Sequence, residues 1–344
     1  MPDRNPRVLI AGIAGASLGT ELAKALSHAG GYDILGSDIS PLAFGHYDAR
    51  FASTFVVDRE DYARNLLEIC VREQVDCILP GGDEPAVLIA EDHQMFTRAG
   101  IHVGQNNPRI TRSLAHKGRC FELLRSAGVR TPATRTIEAG VDIDTIPLPC
   151  IVKPAEASGG SVFVFYARDR EEAKLYCTYL QNNGRTPIVQ EYIPEDRGEF
   201  TVGVLSLPSG ECAGVIALRR AFHNKLSVSV RGHDFLISSG YSQGRIEAFS
   251  DVCETARVIA QRLDSTGPMN IQGRVDADGM FVPFEINARF SASTYLRTLA
   301  GFNEVDCYVR HLLGAEPRSA LNVNPGWYLR SLDETVVPDS EVKG

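Results

Sequence analysis

The feature that most constrains the fold is an alternation of polar and apolar side chains at both ends of residues 269–290, MNIQGRVDADGMFVPFEINARF, over 269–276 and again from 284 onward. A period of two is typical of β-strands, because successive side chains point to opposite faces of a sheet. The turn-forming residues DADG divide the stretch into two strands and so predict an antiparallel hairpin. One face of this hairpin is apolar, and the other face is available for solvent or for chemistry.

The polar face of the hairpin brings oxygen-bearing side chains together. Directly opposed residues of an antiparallel pair share a face, and a register that keeps apolar side chains together places Gln272 beside Glu285 and Asn287. Arg289 stands one step beyond. An unpaired buried carboxylate is costly, so this face needs water, a partner charge or a cation. Such oxygens suit Mg²⁺ better than zinc, although a solvated face with a weak Glu285–Arg289 pair explains the spacing equally well.

A second candidate segment is residues 151–165, IVKPAEASGGSVFVF, in which a lysine ends a strand and a loop of small residues follows. Lys153 is one of only six lysines among 35 basic residues. The loop allows backbone N–H groups to approach phosphate oxygens, and Lys153 adds a positive charge. A glycine-containing hairpin turn explains the same residues without a ligand. The common phosphate loop G-x-x-x-x-G-K-[ST] does not occur in the sequence.

The first 110 or so residues alternate short apolar runs with helical stretches, which predicts a doubly wound parallel sheet. The stretch GIAGASLG at 12–19 follows the first strand and opens a helix, as a dinucleotide-binding loop does, and Asp38 stands where such a site binds a ribose. A short-chain dehydrogenase also needs a Y-x-x-x-K pair, and none of the eleven tyrosines has a lysine four positions later. The dehydrogenase interpretation is weakened accordingly.

Composition argues against several classes of partner. The formal net charge of −8 disfavours a nucleic-acid-binding surface. The sequence contains no uninterrupted run of about 18 apolar residues, so it predicts no membrane span, and the N-terminal residues do not resemble a secretory signal. The eight cysteines are scattered without a zinc-binding spacing. We therefore expect reduced thiols and a cytoplasmic protein that binds neither nucleic acid nor membrane.

Six segments in chain order carry a family resemblance: HKGRCFELLRSAGVRTP, IVKPAEASGG, VQEYI, GEFTVGVL, NIQGRV and FEINARFS. Together they resemble the ATP-grasp superfamily, and within it the carbamoyl-phosphate-synthetase-like branch of carboxylate–amine ligases. The resemblance implies an α/β and α+β chain, with an ATP-grasp fold after an N-terminal Rossmann-like domain. The implied domains are the Rossmann-like domain at 1–112, the linking helix with the small lid lobe at 113–195, and the large lobe with the metal site at 196–344.

The same resemblance implies a role for each candidate residue. The implied ATP-binding residues are Lys117, Lys153, Ser158, Gly159, Gly160, Ser161, Gln190, Glu191, Ile193 and Glu199. Among them the lysines contact phosphates, the hinge VQEYI binds adenine, and Glu199 binds the ribose. Gln272, Glu285 and Asn287 are the implied ligands of two Mg²⁺ ions, with Mn²⁺ as an alternative. The implied catalytic residues are Lys153 and Arg289, of which Arg289 neutralises charge on the transferred phosphoryl group.

The reaction that the resemblance implies is the ATP-dependent joining of a carboxylate to an amine through an acyl phosphate. A bicarbonate- or carbamate-phosphorylating enzyme and a non-catalytic nucleotide sensor remain alternatives. Two residues depart from the family pattern: His116 replaces an aspartate, and Gln272 stands where many amide ligases carry an acid, which lowers the negative charge of the first metal site. The sequence does not determine the oligomeric state, and a homodimer is compatible with it.

The substrate pocket is less well determined by the sequence. Four basic residues beside predicted strands are candidates for holding the substrate carboxylate: Arg219, Arg220, His223 and Lys225. A solvated strand edge explains them nearly as well. Loops 12–19 and 81–84 are predicted to shape the acceptor pocket, and the expected partners are small-molecule carboxylates and amines.

Overall fold

The computed structural model describes residues 4–137, 145–155, 163–318 and 320–343. The first unit is a parallel sheet covered by helices. Its strands are β1 (Arg7–Ala11), β2 (Asp33–Asp38), β3 (Ser53–Val56), β4 (Cys77–Pro80) and β5 (His102–Val103), in the order β3–β2–β1–β4–β5. Its helices are α1 (Leu18–Ala29), α2 (Tyr62–Arg72), α3 (Asp83–Glu91) and α4 (His93–Arg98). The predicted doubly wound sheet is confirmed.

The glycine-rich loop between β1 and α1 has a structural explanation. Gly12 has a φ of +98°, and a Cβ on Gly19 would lie 1.9 Å from the Gly12 carbonyl oxygen, so helix and strand approach too closely for larger residues. The Asp38 carboxylate accepts hydrogen bonds from the backbone N–H groups of Ile13 and Ser40 at 2.8 and 3.0 Å. The features that suggested a dinucleotide site therefore hold this loop in place.

Two helices connect this sheet to the next, α5 (Pro108–Ala115) and α6 (Lys117–Ser126). His116 caps α6, because its Nδ1 accepts the backbone N–H of Arg119 at 3.4 Å. The small lobe contains β6 (Thr134–Thr136), β7 (Cys150–Pro154), β8 (Phe165–Ala167), α7 (Arg170–Asn182) and β9 (Pro187–Glu191). The four strands form an antiparallel sheet in the order β6–β9–β7–β8.

The large lobe is built on a six-stranded antiparallel sheet. Its elements are β10 (Glu199–Ser206), β11 (Cys212–Arg220), β12 (Val228–Arg231), β13 (Leu236–Ser238), β14 (Gly244–Ile246), α8 (Ser250–Arg262), β15 (Pro268–Val275), β16 (Phe281–Asn287), α9 (Thr294–Leu299), α10 (Glu304–Leu312) and β17 (Gly326–Tyr328). The sheet order is β16–β15–β10–β11–β14–β17, and β12 and β13 form a separate ribbon. The hairpin predicted from the alternating residues is the β15–β16 pair at the sheet edge.

Two apolar cores hold these units together. Helices α5, α6 and α8 pack on the large sheet through residues such as Leu124, Val202 and Ile259. A second core joins the N-terminal domain to the large lobe, because Leu22 of α1 and Val309 of α10 belong to one buried cluster. All eight cysteines are free thiols, six of them buried. Among the described residues, no helix is long and apolar enough to cross a bilayer.

Candidate active site

A cavity of about 540 Å³ lies where the three sheets meet. Its wall includes nine of the predicted site residues, which come from five separate parts of the chain: Lys117, Lys153, Gln190, Glu191, Ile193, Gln272, Glu285, Asn287 and Arg289. Parts of the loops predicted to shape the acceptor pocket, Ala16–Leu18 and Gly81–Asp83, line the same cavity. The predicted phosphate-loop residues Ser158, Gly159, Gly160 and Ser161 lie outside the described residues.

The polar face of the β15–β16 hairpin forms one wall of this cavity. Gln272 is paired directly with Glu285, as the alternation predicted, and Asn287 is paired with Asn270. The Asn287 side chain donates from Nδ2 to Glu285 Oε1 at 3.1 Å, which leaves its own amide oxygen for another partner. The described residues contain no cluster of three His, Cys, Asp or Glu side chains. A cation at this face would therefore depend on two amide oxygens beside a single carboxylate.

Lys153 lies across from this face at the end of β7. It is buried, and its Nζ donates to Gln190 Oε1 at 2.8 Å and to the Phe284 carbonyl oxygen of β16 at 3.2 Å. Burial, together with the positive charge of Lys117, lowers the pKa of Lys153 to about 8, against an opposing effect of Glu285. The lysine is therefore part of the same electrostatic site as the hairpin, although more than 100 residues separate them.

The segment that follows β9 is held in one conformation by side chains. Glu191 accepts the backbone N–H of Ala133 at 3.0 Å. The carbonyl oxygen of Ile193 accepts a hydrogen bond from Arg274 Nη1 at 2.6 Å. Among the described residues, no acceptor binds the Ile193 N–H. Ile193 lines the cavity, which makes this N–H a candidate donor to a ligand.

Glu199, the residue predicted to bind the ribose, lies away from the cavity wall. It is completely buried and does not line the cavity. Its oxygens accept hydrogen bonds from Arg220 Nη1 at 2.9 Å and from Arg274 Nε at 2.8 Å. Burial would raise the pKa of the Glu199 carboxyl, but these two arginines outweigh it and lower the pKa. Glu199 anchors a buried ion network, and this geometry does not support the predicted ribose contact.

The four basic residues considered for the substrate carboxylate are also elsewhere. Arg220 belongs to the buried network around Glu199, while Arg219, His223 and Lys225 are exposed. None of the four lines the cavity, so the structure gives no support to the prediction that they bind a substrate there. The strand pattern alone did not show that these side chains lie away from the cavity.

Arg289 has a partner that the sequence analysis missed. Its Nε and Nη2 donate to the two carboxylate oxygens of Asp83 at 2.6 and 3.0 Å. Asp83 begins α3 immediately after β4, at the carboxyl end of a parallel sheet. Binding residues often lie at this edge of such sheets, and this was the available signal.

A buried network behind the hairpin was also missed. Arg297 is fully buried and donates to Glu304 Oε1 at 2.9 Å and to Asn270 Oδ1 at 2.7 Å. Room for its guanidinium exists because β10 carries Gly203, where a Cβ would lie 2.3 Å from Arg297 Nη1. Asn270 lines the cavity opposite Asn287, so this network holds the strand that carries the polar face.

A family model and a curated protein each match part of this chain. A family model described as "ATP-grasp in the biosynthetic pathway with Ter operon" matches residues 185–335. The large chain of carbamoyl phosphate synthase from Vibrio cholerae serotype O1 is 26% identical over 250 residues. The matched region is 68% of this chain but only 22% of that protein.

Solved structures agree on the fold. N5-carboxyaminoimidazole ribonucleotide synthetase in its ADP complex has a TM-score of 0.68 at 17% identity, covering 94% of this chain and 80% of its own. An L-amino acid ligase from Bacillus licheniformis has a TM-score of 0.66 at 15% identity, and the match covers 94% of this chain and 75% of the ligase. Biotin carboxylase from Campylobacter jejuni has a TM-score of 0.67 at 16% identity, and the match covers 93% of this chain and 73% of the carboxylase. Identities this low show the fold alone.

This chain therefore has the ATP-grasp fold, and the family model and the carbamoyl phosphate synthase relative support the resemblance to the ATP-grasp superfamily that the six sequence segments carry. Members of the superfamily are ATP-dependent ligases, and the similar structures include both a carboxylase and an amino acid ligase.

Proposed function

We propose that this protein is an ATP-dependent carboxylate–amine ligase. It converts a substrate carboxylate into an acyl phosphate and joins it to an amine, with release of ADP and orthophosphate. The observation that carries the proposal is the convergence of Lys117, Lys153 and the Gln272–Glu285 pair on one cavity, with Arg289 beside them. Activation is needed because a carboxylate is a poor electrophile at neutral pH, whereas phosphate is a good leaving group.

The nucleotide occupies the small-lobe side of the cavity in this proposal. The free N–H of Ile193 donates to the adenine ring, and Arg274 keeps that segment in place by binding the Ile193 carbonyl oxygen. Lys117 and Lys153 bind the phosphates. The loop Ser158–Ser161 remains a proposed phosphate contact. Glu199 is left out of the nucleotide site because both of its oxygens are bound to arginines.

The donor set of the hairpin fits Mg²⁺. The Gln272 and Asn287 amide oxygens and the Glu285 carboxylate are hard oxygen ligands, which magnesium prefers. When bound, Mg²⁺ supplies positive charge that offsets the charge of the phosphates. Lys153 and Arg289 act from the other sides of the same site. We propose that these cationic side chains orient the γ-phosphoryl group and stabilise the charge that moves during its transfer.

The proposed reaction has two chemical steps. A carboxylate oxygen attacks the γ-phosphorus, the bond to the bridging oxygen of the β-phosphate breaks, and ADP leaves. The nitrogen lone pair of a neutral amine then attacks the acyl carbon. The C–O bond to phosphate breaks, and orthophosphate leaves with one proton from the nitrogen. Arg289 stabilises negative charge in both steps.

The proposed function is tested by measuring ADP release with ATP and Mg²⁺ across a matrix of carboxylates and amines, followed by mass measurement of the product. We expect ADP release that requires both partners and a product mass that corresponds to loss of water. Nucleotide binding without ADP release under any combination would instead support a non-catalytic sensor. Release that depends on bicarbonate alone would support a carboxylase.

The lowered pKa of Lys153 predicts how ATP binding changes with pH. Below about pH 8 the lysine is protonated and attracts phosphate; above that value it is neutral in the free protein. We therefore expect the ATP dissociation constant to rise by up to about tenfold per pH unit above pH 8, as measured by calorimetry. Lys153→Arg keeps its charge throughout this range and should remove most of this slope. The same slope in both proteins would contradict the prediction.

A further inference from the structure

Asp83 is an acidic side chain on the part of the cavity wall that the N-terminal domain contributes. It begins α3 and follows β4 and Gly81–Gly82 directly. Its pair with Arg289 links residues 206 positions apart and uses both carboxylate oxygens. The pair therefore connects the N-terminal domain to the end of β16, where the proposed metal ligands lie.

The Asp83 carboxylate keeps the capacity to bind a second cation. A carboxylate offers about four lone-pair positions, and Arg289 uses two of them. The side chain is 34% exposed and lines the cavity. Burial would raise the pKa of Asp83, but the charge and hydrogen bonds of Arg289 and the charge of Lys117 outweigh it and lower the pKa. Asp83 is therefore a stable anion at neutral pH, which suits cation binding better than proton abstraction.

The other acids of the cavity have different surroundings. Among the described residues that line it, the acids are Asp83, Glu191 and Glu285. Glu191 accepts a backbone N–H beside the proposed adenine site, and Glu285 lies on the proposed metal face. Asp83 is thus the acid that lies within one of the two loops predicted to shape the acceptor pocket, loop 81–84.

The position of Asp83 beside Arg289 limits which reacting groups a ligand bound to the Asp83 carboxylate can approach. In the proposed reaction Arg289 contacts the phosphoryl group of the acyl phosphate, and the incoming nitrogen must approach the adjacent acyl carbon. The phosphoryl group and a cation bound to Asp83 would both lie beside the Arg289 guanidinium. Such a cation lies close to the bond that has to form, which is the requirement for productive orientation.

We infer, resting on the proposed function, that Asp83 binds the second substrate through its ammonium group. The acceptor is then an amine that is protonated in neutral solution, such as an alkylamine or an amino acid. A ureido nitrogen, a weakly basic aromatic amine or a hydroxyl group does not fit this site. One ammonium proton passes to water before attack; the remaining step forms the C–N bond and releases orthophosphate as described above.

The inference is tested with Asp83→Asn and two nucleophiles, using a carboxylate and an amine found productive in the screen. Hydroxylamine traps acyl phosphates as hydroxamates and is largely uncharged at about pH 8, whereas an alkylamine with a pKa of about 10.4 stays protonated. We expect Asp83→Asn to raise the ratio of the amine KM to the hydroxylamine KM by about 10- to 100-fold. Asp83→Ala should shift the ratio in the same direction.

Glu84→Gln is the matched control. Glu84 is the next residue of α3, pairs with Arg59 at the surface and does not line the cavity, so the ratio should stay at the wild-type value. An equal loss with both nucleophiles would mean that Asp83 acts only through Arg289, and an unchanged ratio would place the amine elsewhere. Either result overturns the inference and leaves the ligase proposal standing. A wild-type protein that forms no hydroxamate with ATP and any carboxylate overturns the proposed function, and the inference with it.

Discussion

Replacing Glu285 by glutamine is expected to reduce turnover by about two to three orders of magnitude while the protein remains folded. Glu285 is the one carboxylate on the hairpin face that is proposed to bind Mg²⁺, and Gln272 and Asn287 contribute only neutral oxygens. Without this charge the site holds a divalent cation weakly. The measurement is ADP release as a function of Mg²⁺ concentration, in which half-maximal activity should move to higher Mg²⁺.

Asp278→Asn is the control for this change. Asp278 lies in the turn of the same hairpin, is exposed and pairs with Arg130, so its loss removes one negative charge without touching the cavity. Its turnover and Mg²⁺ dependence should match those of the wild type. Near-normal turnover of Glu285→Gln, with an unchanged melting temperature, would remove the proposed metal site.

Replacing Arg297 by methionine is expected to destabilise the protein by about 3–5 kcal/mol. Glu304 is 1% exposed, and loss of the guanidinium leaves its carboxylate with only the Thr294 hydroxyl as a partner at that oxygen. The Asn270 side chain loses the same donor. The measurement is the midpoint of urea unfolding, followed by circular dichroism.

A double-mutant cycle separates the buried charge from packing. Glu304→Gln alone leaves Arg297 without its charged partner, and we expect it to be destabilising as well. The double variant Arg297→Met with Glu304→Gln should be more stable than the sum of the two single effects predicts, because neither charge is left unpaired. Additive effects, or a loss below about 1 kcal/mol for Arg297→Met, would show that the pair carries little of the stability.

The β15–β16 hairpin shows which structural features can be predicted from local sequence alone. A period of two is a property of the strand backbone, so the alternation at both ends of residues 269–290 was sufficient to predict two strands and a shared polar face with Gln272 beside Glu285 and Asn287. In the structure Gln272 is paired with Glu285 and Asn287 with Asn270. The same is true of the N-terminal unit, whose alternating strands and helices predicted a parallel sheet. The roles of the individual residues within the site stay predictions.

The contacts that join these units could not be derived in this way. Glu199 contacts Arg274 because β10 pairs with β15, and the sequence of neither strand predicts that pairing. Arg220 shows the same limit, since its strand pattern did not reveal that its side chain enters the buried network.

By itself, the sequence determined the local elements, the polar face of the hairpin and the resemblance to the ATP-grasp superfamily, because periodicity and short motifs depend on neighbouring residues. Only the tertiary structure decided which charges meet: Asp83 with Arg289, Glu304 with Arg297, and Glu199 with its two arginines. The Asp83 and Glu199 sets join residues that are distant in the chain. The Glu304–Arg297 pair is local, but Arg297 fits only because Gly203, on another strand, has no side chain. Ion pairs of this kind form only after strands and domains have packed, so local pattern carries no information about them.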